Sequence, residues 1–237
     1  MKKIFLFIVI QFFAMQNSAM AEGIRLEQTR VVFNSYDHSQ TVTVSNDDNA
    51  PYLLQSGVTT SVEGGKSRLF VVTPPLVRIN ANSKFSLRIF LKDKSTLPKD
   101  RESIFYINTR ALPATNPEGR VENNAKLVFV TNIIIKLFYR PDGVGQPNES
   151  VYQQVYLDRK QGNWSIFNPT PYYMTLVNLS FNDKAYKKNI LIAPYSHTRL
   201  EDLSGDVRNS RWQMINDYGG TTQPYQNIIM GFKHDSK

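Results

Sequence analysis

Residues 127–140 constrain this chain more than any other stretch. They read Leu-Val-Phe-Val-Thr-Asn-Ile-Ile-Ile-Lys-Leu-Phe-Tyr-Arg, with Pro141 behind them. Nine of the fourteen are Val, Ile, Leu or Phe, which suit a pleated surface, and no Gly or Pro interrupts the run. At about 3.3 Å per residue it would reach roughly 45 Å, more than twice a typical strand. In a strand, odd and even positions face opposite ways. Here both faces are apolar at the start, whereas a half-exposed strand alternates. Both faces are therefore expected to bury, one in the protein's own core and one elsewhere. The pattern alone leaves two readings open. One is a central strand of a sandwich. The other is an edge strand that lends an apolar face to a partner. Open edges are normally blunted by charge, and the charges here, Lys136 and Arg140, come only at the end.

The rest of the chain reads as shorter strands. Residues 24–33 form a first apolar run. Residues 40–46 alternate Thr41, Thr43 and Ser45 against Val42 and Val44. Residues 52–60, 70–73, 76–79 and 84–91 follow, with Pro74-Pro75 between 70–73 and 76–79. Short strands broken by turn formers predict an all-β sandwich. Aromatic residues at 12% and charged residues at 20% suit a folded β-rich chain. After Pro141 the run Asp142-Gly143-Val144-Gly145-Gln146-Pro147-Asn148 is a linker of turn formers. It divides an N-terminal domain, 22–143, from a C-terminal one, 149–237. In the latter, strands are predicted at 151–157, 164–167, 172–181, 190–192, 212–215 and 226–230, and no helix.

Residues 1–21 have the form of a secretory signal: Lys2 and Lys3, an apolar region, then Ala19-Met20-Ala21 as a cleavage site. About a dozen apolar residues are too few for a bilayer, which takes about 20. The mature chain is expected to start at Glu22 and be exported, with no stable membrane insertion. Net charge is +8, of which Lys2 and Lys3 carry two, leaving +6. The Lys and Arg residues are scattered along the sequence, which argues against nucleic acid as a partner.

Catalytic patterns are missing. The chain has no cysteine, which removes thiolate chemistry and disulfides together. His38, His197 and His234 lack metal-ligand spacing. Gly64-Gly65 and Gly219-Gly220 lack a phosphate-loop context. Ser196-His197 are neighbours without an orienting acid in view. No enzyme activity, cofactor or metal is expected. What remains is charge at strand ends. Arg30 and Lys136 could meet where the first and long strands lie close, and two cations there would suit an anion, most simply a chain-terminal carboxylate.

Several motifs carry a resemblance. Ile135-Lys136-Leu137-Phe138-Tyr139-Arg140-Pro141 resembles the end of the seventh strand of periplasmic pilus (fimbrial) chaperones of the PapD-like family. Leu97-Pro98-Lys99-Asp100-Arg101-Glu102-Ser103, the aromatic strand behind it, Asn108 and Leu112-Pro113 resemble that family's signature, departing from it at Thr109. Asn168-Pro169-Thr170-Pro171-Tyr172-Tyr173 and Ile215-Asn216-Asp217-Tyr218-Gly219-Gly220 resemble two turns of its second domain. The short polar loop 114–126 is similar to the short-loop branch, which serves rod-like pili with tip adhesins. The resemblance implies two immunoglobulin-like β-sandwich domains in an L-shaped arrangement. It implies a chaperone that completes pilus subunits by donating its seventh strand, then delivers them to an outer-membrane usher. It gives Leu127, Phe129 and Thr131 as the inserted residues, Arg30 and Lys136 as the anchor for the carboxylate that ends the pilus subunit, and Glu102, Arg140 and Asp217 as a buried network between the domains. Lys136 has the opposite parity from Leu127 and Phe129, so a bulge or strong twist is expected near Thr131-Asn132. A structural pilin or adhesin, or a generic exported Ig-like binding module, is the alternative. A pilin would normally donate an N-terminal extension, and residues 22–33 are too short to do that and build a first strand as well.

Overall fold

The structure, a computed structural model, describes residues 23–114, 129–160 and 162–228. The expected signal sequence and the expected insertion residue Leu127 lie outside the described residues. In chain order the first domain contains β1 (Ile24–Leu26), β2 (Arg30–Asn34), β3 (Gln40–Asn46), β4 (Tyr52–Thr59), β5 (Phe70–Thr73), β6 (Leu76–Ile79), β7 (Ser83–Leu91), β8 (Ser103–Pro113) and β9 (Thr131–Arg140). The linker leads to α1 (Glu149–Tyr152). The second domain follows with β10 (Tyr156–Lys160), β11 (Asn163–Asn168), β12 (Met174–Phe181), β13 (Lys184–Ala185), β14 (Ile190–Ile192), β15 (Ser196–Arg199), β16 (Asn209–Met214) and β17 (Tyr225–Ile228).

Two sheets make the first sandwich, in the orders β1-β3-β7-β5 and β2-β9-β8-β4-β6. The alternating residues of β3 and β7 bury Val42, Val44, Leu87 and Ile89 against Phe33, Leu54, Ile107 and Leu137 of the other sheet. Thr109, the departure from the family's aliphatic residue, is fully buried in this core. Its hydroxyl is 3.1 Å from that of Ser56, its register partner on β4, so the two polar groups satisfy each other. The second domain has sheets β10-β11-β15 and β13-β12-β16-β17, with β14 added to β12, around Trp164, Ile166, Leu176 and Trp212.

Two expectations for the shorter strands change. The first apolar run is two strands rather than one. β1 pairs with β3 in one sheet and β2 with β9 in the other. The crossing is at Gln28, whose side-chain oxygen accepts the Thr43 N–H (3.1 Å) and takes the place of a ladder carbonyl. The chain crosses again at Pro74-Pro75, which have no N–H to give a ladder: β5 pairs with β7, and β6 with β4. Residues 151–157 do not form one strand. Asn148 accepts the Val151 N–H and caps the single turn α1, and β10 starts only at Tyr156.

The long run is also divided. Phe129 and Val130 precede β9 and are 76% and 50% exposed, while Leu137, Phe138, Tyr139 and Arg140 are buried. Leu137→Ala is expected to destabilise the first domain by about 2–5 kcal/mol, and Phe129→Ala to leave the melting temperature within experimental scatter. Thermal melts of the two variants test this division.

Candidate functional site

The site grows from the way β2 meets β9. The two run parallel, in register from Arg30↔Lys136 to Asn34↔Arg140. On its other side β9 pairs antiparallel with β8 over its whole length but the last residue, from Thr131↔Ala111 to Tyr139↔Ser103. Lys136 onwards therefore has a strand on both sides. Residues 131–135 have one on a single side, and their other edge is open. The register with β8 advances without a break, so the bulge expected near Thr131-Asn132 is not there. Parity does not require one. Ile135, Leu137 and Tyr139 face the domain core, while Lys136 and Phe138 face the second domain together with Arg30. A strand added at the open edge would lie in the plane of the sheet and end against the start of β2. There a side chain from that outer face can turn in to meet its terminus.

The two cations differ. Arg30 is nearly buried; its Nη1 donates to the Ile215 carbonyl in the second domain (3.1 Å), and its guanidinium carbon lies 5.6 Å from the Phe138 ring centre. Its Nε–H has no partner among the described residues. Burial pulls its pKa down, and the charges of Asp217 and Glu102 and the Tyr152 hydroxyl offset part of that effect. Lys136 is half-buried, and among the described residues no acid pairs with its ammonium. Burial first, then the Arg30 charge, hold its pKa below the ordinary lysine value. The arrangement is a pair of adjacent, incompletely neutralised cations at the mouth of an open strand edge.

Behind them the structure joins Glu102, Arg140 and Asp217. Arg140 sends Nε (2.9 Å) and Nη2 (2.7 Å) to Glu102 Oε1, and Nη1 (2.7 Å) and Nη2 (3.0 Å) to the two Asp217 oxygens. Glu102 Oε2 accepts the Tyr173 N–H (2.8 Å), and the Glu102 N–H donates to the Pro171 carbonyl (2.9 Å). β8, β9 and two turns of the second domain are thus tied at one point. Burial pushes the Glu102 carboxyl up, against the Arg140 charge. For Arg140, burial acts downward, but Asp217 and Glu102 outweigh it and hold it charged above its usual value. Phe138 packs on Tyr173 at 5.8 Å beside this network. Gly219 has φ +84°, and a Cβ there would collide with Thr29 Oγ1, so the late turn of the second domain lies directly against the strand crossing of the first. The parts played by Tyr173, Pro171, Phe138 and the Ile215 carbonyl were not foreseen from the sequence. Pro171, Tyr173 and Ile215 lie in the two turns that resemble the family's, and Phe138 is a bulky residue on the Lys136 face.

Residues 23–145 match the family described as "Pili and flagellar-assembly chaperone, PapD N-terminal domain", and residues 150–226 match "Pili assembly chaperone PapD, C-terminal domain". The chain belongs to the pilus-assembly chaperone family. The chaperone is 32% identical over 223 residues to the chaperone protein FimC of Escherichia coli K12, covering 93% of this chain and 91% of that one. It is 34% identical over 206 residues to the chaperone protein PapD of Escherichia coli, covering 84% and 83% of the two chains. In three dimensions it resembles the Salmonella enterica SafB chaperone, solved in complex with the SafA pilin (TM-score 0.78, 28% identity, 90% of this chain and 99% of that one). The family is one of chaperones rather than enzymes. His197 of the chaperone stacks on Phe167 at 4.3 Å, an ordinary packing role.

Removing one member of a buried ion-pair network leaves the others uncompensated. Glu102→Ala is expected to destabilise the chaperone by about 3–5 kcal/mol. Asp217→Ala should cost less, because Asp217 is 21% exposed and Glu102 2%. Equal melting temperatures for the two variants and the parent would contradict this ranking.

Proposed function

We propose that this chain works in the periplasm, capping pilus subunits through the open edge of residues 129–135 while Arg30 and Lys136 hold the terminal carboxylate of the captured pilin. The observation that carries this is the end of β2–β9 pairing at Arg30↔Lys136, with both cations where the open edge begins. A pilin with an incomplete Ig-like sheet would pair its backbone with that edge, and Phe129 and Thr131, with Leu127 before them, would enter its core. Burying each large apolar side chain contributes roughly 1.5–3 kcal/mol before ordering costs. Main-chain pairing is indifferent to the pilin's sequence. The carboxylate contact fixes which residue of the pilin lies opposite which residue of the strand.

The two ends of the strand have separate tasks. The end from Lys136 onwards is packed and cross-linked through Arg140, so it holds the donated end at a fixed angle. The exposed end is apolar and needs a partner. Release of the pilin would follow when another strand displaces this one at an outer-membrane usher, with no nucleotide involved. The leader 1–21 supports a periplasmic location, as does the likeness to the periplasmic chaperone SfaE (31% identity, TM-score 0.73).

Co-expression with candidate pilins in the periplasm tests the reading. Lys136→Ala should leave a folded chaperone whose affinity for pilin is at least ~30-fold lower, the scale of losing one partner of a desolvated charge pair. Undiminished co-purification of pilin would overturn the anchor. pH provides a second check. Carboxylate binding requires a charged Lys136, whose pKa is depressed in the free protein. Affinity for a peptide made of a pilin's last residues, with a free carboxylate, should therefore fall as pH rises, with onset below the usual lysine range. An affinity flat through that range would exclude Lys136 from the contact.

A further inference from the structure

Cations that are scattered along the sequence gather on the first domain's other sheet, away from the cleft. Strand periodicity does this. On β7, Arg88 and Phe90 share the outer face, and Lys92 continues it. On the neighbouring edge strand β5, Val71 is the register partner of Phe90, and Thr73 of Arg88. Lys66 and Arg68, also two apart and both exposed, lie on the segment leading into β5. Val71 is 40% exposed and Phe90 is half-buried. Lys66, Arg68 and Lys92 line a groove of about 590 Å³ together with the outward-facing Val71, while the Phe70 ring turns inward onto Phe33 and Phe105.

The charges are unanswered. At the far end of the same sheet Arg25 is paired with Asp47 (2.6 Å) and Lys84 with Glu27 (2.6 Å). Lys66, Arg68, Arg88 and Lys92 make no ion pair among the described residues. Lysines on an edge strand alone would only blunt it against pairing. Here they ring an open apolar centre, the arrangement of an interface core with a charged rim. A bilayer surface would meet such a patch flat and leave the groove empty. An extended chain segment can fill the groove and meet the cations at once.

We infer that this face is a second docking surface, for a partner's acidic polypeptide segment that places one apolar side chain over Val71 and Phe90 with carboxylates on Lys66, Arg68 and Lys92. The surface is on a different sheet from the Arg30–Lys136 site, so its occupation is independent of pilin binding. Association should be fast and strongly dependent on ionic strength, because the rim charges are exposed.

The test uses the full mature chain and a fluorescent peptide with a single Leu flanked by Glu residues, read by anisotropy at low salt, with amide shift mapping to locate it. Expected are saturable binding, amide shifts confined to the Lys66–Thr73 and Arg88–Lys92 segments, about ten-fold weaker binding for Arg68→Glu combined with Lys92→Glu, and unchanged binding for Lys136→Ala. Weaker binding with Val71→Ser would place the apolar residue in the groove. No binding, shifts at the cleft instead, or equal affinity of the charge-reversed variant would overturn the proposal. So would binding to vesicles of equal parts phosphatidylcholine and phosphatidylglycerol with none to the peptide, which would make the patch a membrane contact.

Discussion

The parallel pairing of β2 with β9 covers only the second half of β9, and the rest of the molecule is arranged around that shortfall. A strand paired on both sides along its whole length would be ordinary core. A strand paired on one side throughout would invite aggregation. Here five residues of β2 close one edge from Lys136 onwards, and the preceding residues keep theirs open. The shortfall has a local cause. The chain cannot reach β9 earlier because its first residues are committed to β3, and Gln28 completes the ladder with a side-chain oxygen before the chain crosses to the other sheet.

The closed half then has to be rigid enough to hold the open half out. The buried Arg140 does this by joining three elements, with all the oxygens of Glu102 and Asp217 engaged. Such a network adds little net stability over an apolar substitute, but breaking it is expensive, and its geometry is specific. The contact of Gly219 with Thr29 and the bond from Arg30 to the Ile215 carbonyl set the second domain against the same strand ends. In the proposed reading, anion recognition and domain orientation consequently meet at one residue. Arg30 belongs to both: one nitrogen is committed to the second domain, and another has no partner among the described residues.

Much of this was legible in the residues and some was not. The long apolar run, the alternation of β3 and β7 and the Pro74-Pro75 crossing follow from periodicity and turn chemistry, which are local. Arg30 and Lys136 could be set together because the motif around Lys136 resembles a family in which the two matching positions act together; spacing alone would not have joined residues 106 positions apart. The split of residues 24–33 was hidden because both halves are equally strand-like, and the switch depends on a side chain replacing a backbone acceptor. The turn α1 was hidden because Val151 and Tyr152 are good strand formers, overruled by the Asn148 cap. The expected bulge came from treating a strand's face and its edge as one direction. The cationic face of β5 and β7 was invisible in a linear scan, since its members are dispersed in sequence and aligned only by strand pairing.

Amide hydrogen exchange along β9 tests the central claim most directly. In the free protein, alternate amides of residues 131–135 that face the open edge should exchange rapidly, while those of 136–140 are protected by β2 and β8. Binding of a pilin should slow the first group and leave the second nearly unchanged. Uniform protection of 131–140 before any pilin is added would mean that the edge is already closed, and the account would fail.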